Sequence, residues 1–370
     1  MHKAFPQRKQ KKKNGFVSSF PSLGARKIWD VFYWFEFINI IIALPSEMFG
    51  VTLTMMAAES FQDIADTFKM IPCIGSSILS MFKSFKIVYE LPVYENLFNE
   101  LRNMWPEGEV SVAEHEIIQK ALKQLNFVVK GYYWCNSVLL ISFLGPPFIV
   151  TLWRYFGYDS PMTLHFIYWL PFDPLRPIVY EIMLLVQTWQ ALVVIWWNVS
   201  WDMLFCTFLC HLTVQLDLLS LRLERLCCTT VDQQLIGSYP LAGLSKGNEI
   251  NKKKGISNYP ELREIILRHI SLIRLSNDME SLSSLTLLVN FMNGSIIICF
   301  CGFCSIVIEK WSDVAYKSFL ATTLSQTWLL CWYGQKLIDS SSRVRQAAYN
   351  CAWYDAPKVF KASLLIVLHR

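Results

Sequence analysis

Stretches of about 20 residues with few charges, long enough to cross the roughly 30 Å hydrocarbon core of a bilayer, recur along this 370-residue chain and settle its class. They fall near residues 31–57, 66–86, 127–152, 178–210, 285–308 and 315–335. A large soluble helical domain would interleave charges at the helical period throughout. These stretches do not, and with 53% hydrophobic and 15% aromatic residues the chain reads as an all-α polytopic membrane protein. The second stretch is the least regular, with Lys69 near its start, Lys83 and Lys86 near its end, and Pro72 expected to bend it. The fourth carries Trp196, Trp197 and Trp201, a cluster suited to an interfacial belt or to a protein-packed face.

Direction follows from Lys and Arg, which cytoplasmic segments retain during insertion. The N-terminal tail, the connection between spans four and five, and the C-terminal tail are basic, whereas 58–65, 153–177 and 309–314 contribute only Arg154, Arg176 and Lys310. Both ends are expected inside. The first 29 residues are basic and the first apolar run begins only at Val31, unlike a cleavable signal peptide, so the N-terminus is expected to stay in the mature chain. The organisation that follows is a tail (1–30), spans one to four (31–211), a cytoplasmic helical extension and loop (212–284), spans five and six (285–335), and a C-terminal helix (336–370). A G-protein-coupled receptor would have its N-terminus outside, an Asp-Arg-Tyr after span three and an Asn-Pro-x-x-Tyr near the end; none of these is found.

Beyond span four, Leu212, Leu216, Leu219, Leu223 and Leu226 recur at spacings of four and three, which predicts an amphipathic helix continuing out of the membrane. Residues 227–259 turn polar, and Pro260 opens a second amphipathic helix that runs into span five. Two readings of these apolar seams stand: each covers a neighbour in its own chain, or they meet other subunits.

Catalytic and metal-binding motifs do not appear, and the six histidines are scattered. No enzyme activity, cofactor, metal or nucleic-acid partner is expected. Cys299, Cys301 and Cys304 sit inside span five, where packing is the ordinary explanation. The sequons at Asn198 and Asn293 lie within spans, out of reach of glycosylation, and are read as coincidences. Glu47, Glu181 and Asp202 are costly in hydrocarbon and should face the bundle interior or water; for Glu181 and Asp202 a helix-end position reaching the interface is the alternative.

The basic N-terminus, "YWLPFD" and "RPIVYEIMLLVQTWQAL" leading into span four, "LCHLTVQLDLLSLRLERL" after it, and "AAYNCAWYDAPKVFKASLLIVLHR" at the end resemble the insect odorant receptors, moth and butterfly members above all, from about residue 30 to residue 370. That resemblance implies a seven-span subunit that pairs with a shared co-receptor in a tetrameric odorant-gated cation channel of the olfactory neuron plasma membrane. It shifts the Leu216, Leu219 and Leu223 seam, together with Tyr349, Trp353, Tyr354, Phe360 and Leu364, toward subunit assembly. It also implies that the last quoted stretch leads into a seventh, pore-lining span. The apolar run from Ala362 to Leu368 is about seven residues, far short of a span, so the sequence is expected to be incomplete, with a six-span, non-conducting form as the alternative. A G-protein-coupled or gustatory-type chemoreceptor is the alternative on function.

An odorant pocket would be lined by aromatic and aliphatic side chains with one or two polar groups to orient a small, mostly apolar ligand. By the same resemblance it lies among the outer halves of spans two, three, four and six. Those halves offer Ile71, Ile74, Phe143, Phe148, Tyr180, Met183, Gln187, Tyr316, Phe319 and Thr323. Tyr180 and Tyr316 are the leading candidates, because a hydroxyl in a dry pocket needs a partner and a ligand oxygen could supply it.

Overall fold

The computed structural model describes residues 70–105, 111–158, 161–166, 172–237, 259–307 and 312–350, with isolated positions at 45, 49, 50, 56, 360–362, 364 and 365. Five long helices run through these residues: α1 (Ile71–Asn103), α2 (Val112–Tyr155), α3 (Pro177–Gly237), α4 (Tyr259–Val307) and α5 (Ser312–Asn350). They alternate in direction, and α3 and α5 share the most extensive contact. At one end lie the start of α1 and the end of α2; at the other lie the tails of α1, α3 and α5. Apart from those isolated positions the first apolar stretch lies outside the described residues, as do Trp353 and Tyr354.

The apolar periods continue without a break from the spans into their extensions. Residues 178–210 and the leucine seam after them form one helix of 61 residues, about 90 Å at 1.5 Å per residue, three times the hydrocarbon thickness. The fifth span and the helix opened by Pro260 are likewise one element of 49 residues. Pro72 does not bend its span. It occupies the first turn of α1, where a missing N–H costs nothing and its fixed φ suits the helix, and Pro92 is the proline inside that helix.

Among the described residues, α1 to α4 are long and apolar enough to cross a membrane; α5 falls short. Ser318, Thr322, Thr323 and Gln326 dilute its apolar run, and the first three are buried against the bundle. The outward face of α3 is a stripe of Ile178, Ile182, Leu185, Trp189, Leu192 and Trp196, spaced by three and four, which suits lipid. Trp197 and Trp201 turn inward, so the tryptophan cluster is split between the two environments. Glu181 is exposed at the start of α3, and Asp202 is buried.

In the extensions the pattern inverts. Leu212, Leu216, Leu219, Leu223 and Leu226 of α3 pack with Leu262, Ile265, Leu272 and Leu275 of α4 and with Val344 and Ala348 of α5. Leu216, Leu219 and Leu223 thus spend their area inside one chain, as do Phe360 and Leu364, which join the same core; Tyr349 is exposed. Ion pairs ring this core: Arg222 Nε donates to Glu114 Oε1 at 3.0 Å, Arg343 pairs with Asp217 at 2.9 Å, and Arg274 pairs with Glu100. Glu114 also accepts from the Ser111 N–H at 3.1 Å, which ties down the start of α2.

Burial pushes the Glu114 carboxyl up, but the hydrogen bonds from Arg222 and Ser111 and the charges of Arg222 and Arg225 outweigh it and hold the group below the usual carboxylate range. Such a group adds stability above its unfolded-state value and loses it as pH falls through the folded-state value. Glu114→Gln should therefore lower stability by about 1–2 kcal/mol at neutral pH. Melting temperatures of purified wild type and variant should converge on acidification below the carboxylate range.

Candidate functional site

A charged residue inside a membrane bundle must find partners, since ion desolvation in low dielectric costs several kcal/mol even after relaxation. Asp202 on α3 finds them on three neighbouring helices. Lys83 Nζ of α1 donates to Oδ1 at 2.7 Å, with both side chains 0% exposed. The Tyr132 hydroxyl of α2 donates to Oδ2 at 2.8 Å and Gln326 Nε2 of α5 donates to the same oxygen at 2.7 Å. Gln326 Nε2 also reaches Asn290 Oδ1 of α4 at 3.2 Å, so the network touches all five helices. The indole of Trp201 lies 5.2 Å from the Lys83 ammonium and adds a cation–π contact.

Two members of this network, Tyr132 and Gln326, also line a cavity of about 80 Å³ between the helices. Its walls are largely apolar: Leu79 from α1, Leu139 and Phe143 from α2, Ala191, Val194 and Ile195 from α3, Ile297 from α4, and Phe319 from α5. Polar groups come from Ser76, Ser77, Asn136, Asn198, Asn293, Thr322 and Thr323. This is the composition expected of a small-molecule site, apolar with a few placed polar groups.

The connection between α2 and α3 covers the cavity with Phe166. Gln187 holds it there: its Oε1 accepts from the Phe166 N–H and its Nε2 donates to the Phe166 carbonyl, each at 3.1 Å. The Phe166 ring then sits 5.5 Å from that of Phe143, which lies 6.1 Å from Phe319. His165 stacks beside Phe143, and Thr188 Oγ1 lies 3.1 Å from its Nε2. Burial pushes its imidazole down to about 4, so the ring is neutral at physiological pH.

Of the ten residues expected at a ligand, the structure brings Phe143, Phe319 and Thr323 to the cavity. Gln187 spends both ends of its amide on Phe166. The Tyr180 hydroxyl donates to the Thr163 carbonyl at 3.0 Å and lies 3.0 Å from Thr151 Oγ1, so its partners are protein groups of the cover and of α2. Tyr316 stands off the lining, in a cluster with Ile297, Cys301 and Cys304. Phe148 packs near His165 from an exposed position, and Ile71, Ile74 and Met183 are half-buried off the lining. Lining residues outside the ten include Cys73, Asn136, Asn198, Asn293 and Gln326; for the amides, a polar residue deep in an apolar span is the available signal.

A family model described as 7tm Odorant receptor matches residues 63–370. Odorant receptor 67c of Drosophila melanogaster is 24% identical over 350 residues, 93% of this chain and 80% of that protein. Odorant receptor 85b of the same fly is 24% identical over 354 residues, 93% and 82% of the two chains. Among solved structures, the insect olfactory receptor OR5 from Machilis hrabei superposes with a TM-score of 0.72 at 15% identity, covering 98% of this chain and 83% of that one. The same receptor in complex with eugenol gives 0.72 at 16% identity, with 99% and 84% covered.

The buried pair yields a sharp expectation. Lys83→Met alone leaves Asp202 without its cation and should destabilise the protein by about 3–5 kcal/mol. Adding Asp202→Asn, which removes the charge and still accepts hydrogen bonds, should restore most of the melting temperature and surface expression. A double variant no better than the single would show that the pair does not act as a unit.

Proposed function

The chain belongs to the 7tm odorant receptor family, and from that premise we propose that it is the odorant-binding subunit of an odorant-gated cation channel formed with a shared co-receptor. In this reading the assembly is a heterotetramer in the plasma membrane of olfactory sensory neurons, with the N-terminus of the chain cytoplasmic. The observation that carries the ligand-binding part is the covered cavity among α1 to α5. It is largely apolar, aromatic on the side of Phe143, Phe166 and Phe319, and supplied with a few amide and hydroxyl groups. These are the features a small, mostly apolar volatile requires. Phe143, Phe319 and Thr323 are the proposed contacts among the candidates above. Tyr180 and Gln187 act through the cover, by fixing the segment that carries Phe166.

The basic residues support the orientation. Arg222, Arg225, Arg263, Arg268 and Arg274 cluster where the extensions of α3 and α4 leave the apolar region, the side on which positive charge stays during insertion. Gating then needs no messenger. A ligand that binds the open form more tightly shifts the closed–open balance by its difference in affinity.

The test is odour-evoked current in cells expressing this chain with the co-receptor, with a guanine-nucleotide block in the recording pipette. Direct gating predicts currents that persist under the block. Ala191→Phe, which fills the cavity from α3, should abolish the odour response and leave surface expression within about twofold of wild type. Currents lost under the block, or a response indifferent to the filled cavity, would overturn the reading.

A further inference from the structure

The cavity has more hydrogen-bonding capacity than the protein uses, and the surplus is concentrated on two amides. Asn198 of α3 donates through Nδ2 to the Ser76 carbonyl at 3.0 Å and to the Val194 carbonyl at 3.2 Å. Its Oδ1 is buried and has no hydrogen-bond partner among the described residues. Asn293 of α4 also lines the cavity. Its Oδ1 leans on Gly75, 2.5 Å from where a Cβ would stand, and its side chain makes no hydrogen bond among the described residues. Gly75 and Ser76 are consecutive, so both amides converge on one turn of α1.

The other polar groups are largely committed. Tyr132 and Gln326 Nε2 serve Asp202, Asn136 Nδ2 donates to the Tyr132 carbonyl at 2.9 Å, and Thr323 Oγ1 donates to the Phe319 carbonyl at 2.9 Å. A buried polar group without a partner is a standing penalty, and filling it discriminates between ligands far better than an apolar contact does. What these two amides leave open includes a buried acceptor, Asn198 Oδ1, and a donor, Asn293 Nδ2. A hydroxyl satisfies both, since its oxygen accepts while its proton is donated. An aldehyde or ester oxygen can only accept, and a hydrocarbon can do neither.

Resting on the pocket reading above, we propose that Asn293 and Asn198 form a paired-amide subsite for a hydroxyl group. The pocket therefore takes alcohols and phenols ahead of aldehydes, esters and hydrocarbons of the same shape. Gly75 is part of the device, because only a residue without a side chain leaves room for the Asn293 amide.

The experiment is thermal stabilisation of the purified full chain, which reports binding without requiring conduction. The probes are two matched series: 1-octanol, octanal and octane, and benzyl alcohol, benzaldehyde and toluene. In wild type the alcohol of at least one series should bind about tenfold more tightly than its hydrocarbon, as expected of one well-made hydrogen bond. Asn293→Leu should erase that advantage while hydrocarbon binding holds or tightens, and its unliganded melting point should not fall, since the amide it replaces bonds to nothing. Gly75→Ala should erase the same advantage with residue 293 unchanged, by displacing the amide. An alcohol advantage that survives both variants, or its absence in wild type that still binds the hydrocarbons, overturns the subsite and leaves the pocket standing. No stabilisation of wild type by any probe, or stabilisation of Ala191→Phe equal to that of wild type, overturns the pocket as well.

Discussion

A single carboxylate, that of Asp202, sets the arrangement of the described helices. In the interior of a bundle it is tolerable only if its oxygens are filled, and the fillers come from α1, α2 and α5, with α4 joined through Asn290. Apolar side chains pack in many registers at similar cost, whereas a shift of one turn at any of these contacts strands a charge or an amide. The network therefore specifies which faces meet. It also accounts for α5, whose weak hydropathy looks anomalous for a buried helix until its Gln326, Thr322 and Ser318 are seen facing inward.

The cavity stands directly on this network. Tyr132 and Gln326 are at once its wall and the donors to Asp202, so neither can swing toward a guest without leaving the carboxylate short of a bond. Any ligand that displaces either side chain changes the hydrogen bonding of a carboxylate tied directly to α1, α2 and α5. Coupling of this kind travels through bonded side chains and needs no long-range wire.

How much of this was legible in the sequence divides along physical lines. Five of the six apolar stretches appear as helices, and the leucine seam after span four continues that helix, because both follow from local periodicity. Pro72 was misjudged as a bend for want of the helix boundary, which depends on the chain before it. The first span, apart from isolated positions, and the Trp353–Tyr354 ending lie outside the described residues. At the cavity, placement by depth along the spans coincides with the lining at Phe143, Phe319 and Thr323. The hydroxyl argument favours Tyr180 and Tyr316; Tyr316 stands off the cavity lining, and Tyr180 is engaged, but by the docked segment carrying Thr163. That docking is a long-range event no local pattern announces. Asn198 and Asn293 were passed over as idle sequons. Their position in apolar spans, which removes them from glycosylation, is the same fact that makes their amides costly, and costly groups inside a bundle are the ones to examine first.

The two halves of the bundle solve opposite solvent problems with the same helices. In the apolar half the polar groups are inside, joined through Asp202, and the outward face of α3 is isoleucine, leucine and tryptophan. In the projecting half the leucines are inside and the ion pairs of Glu114, Asp217 and Glu100 ring them. The change falls within α3 near residue 210 and involves no break in the helix. A rigid element that crosses from one solvent regime to the other links whatever happens at the cavity to the ring of ion pairs. Rotation of α3 to accommodate a guest would turn Leu219 and Leu223 against α4 and α5, with which they share one core.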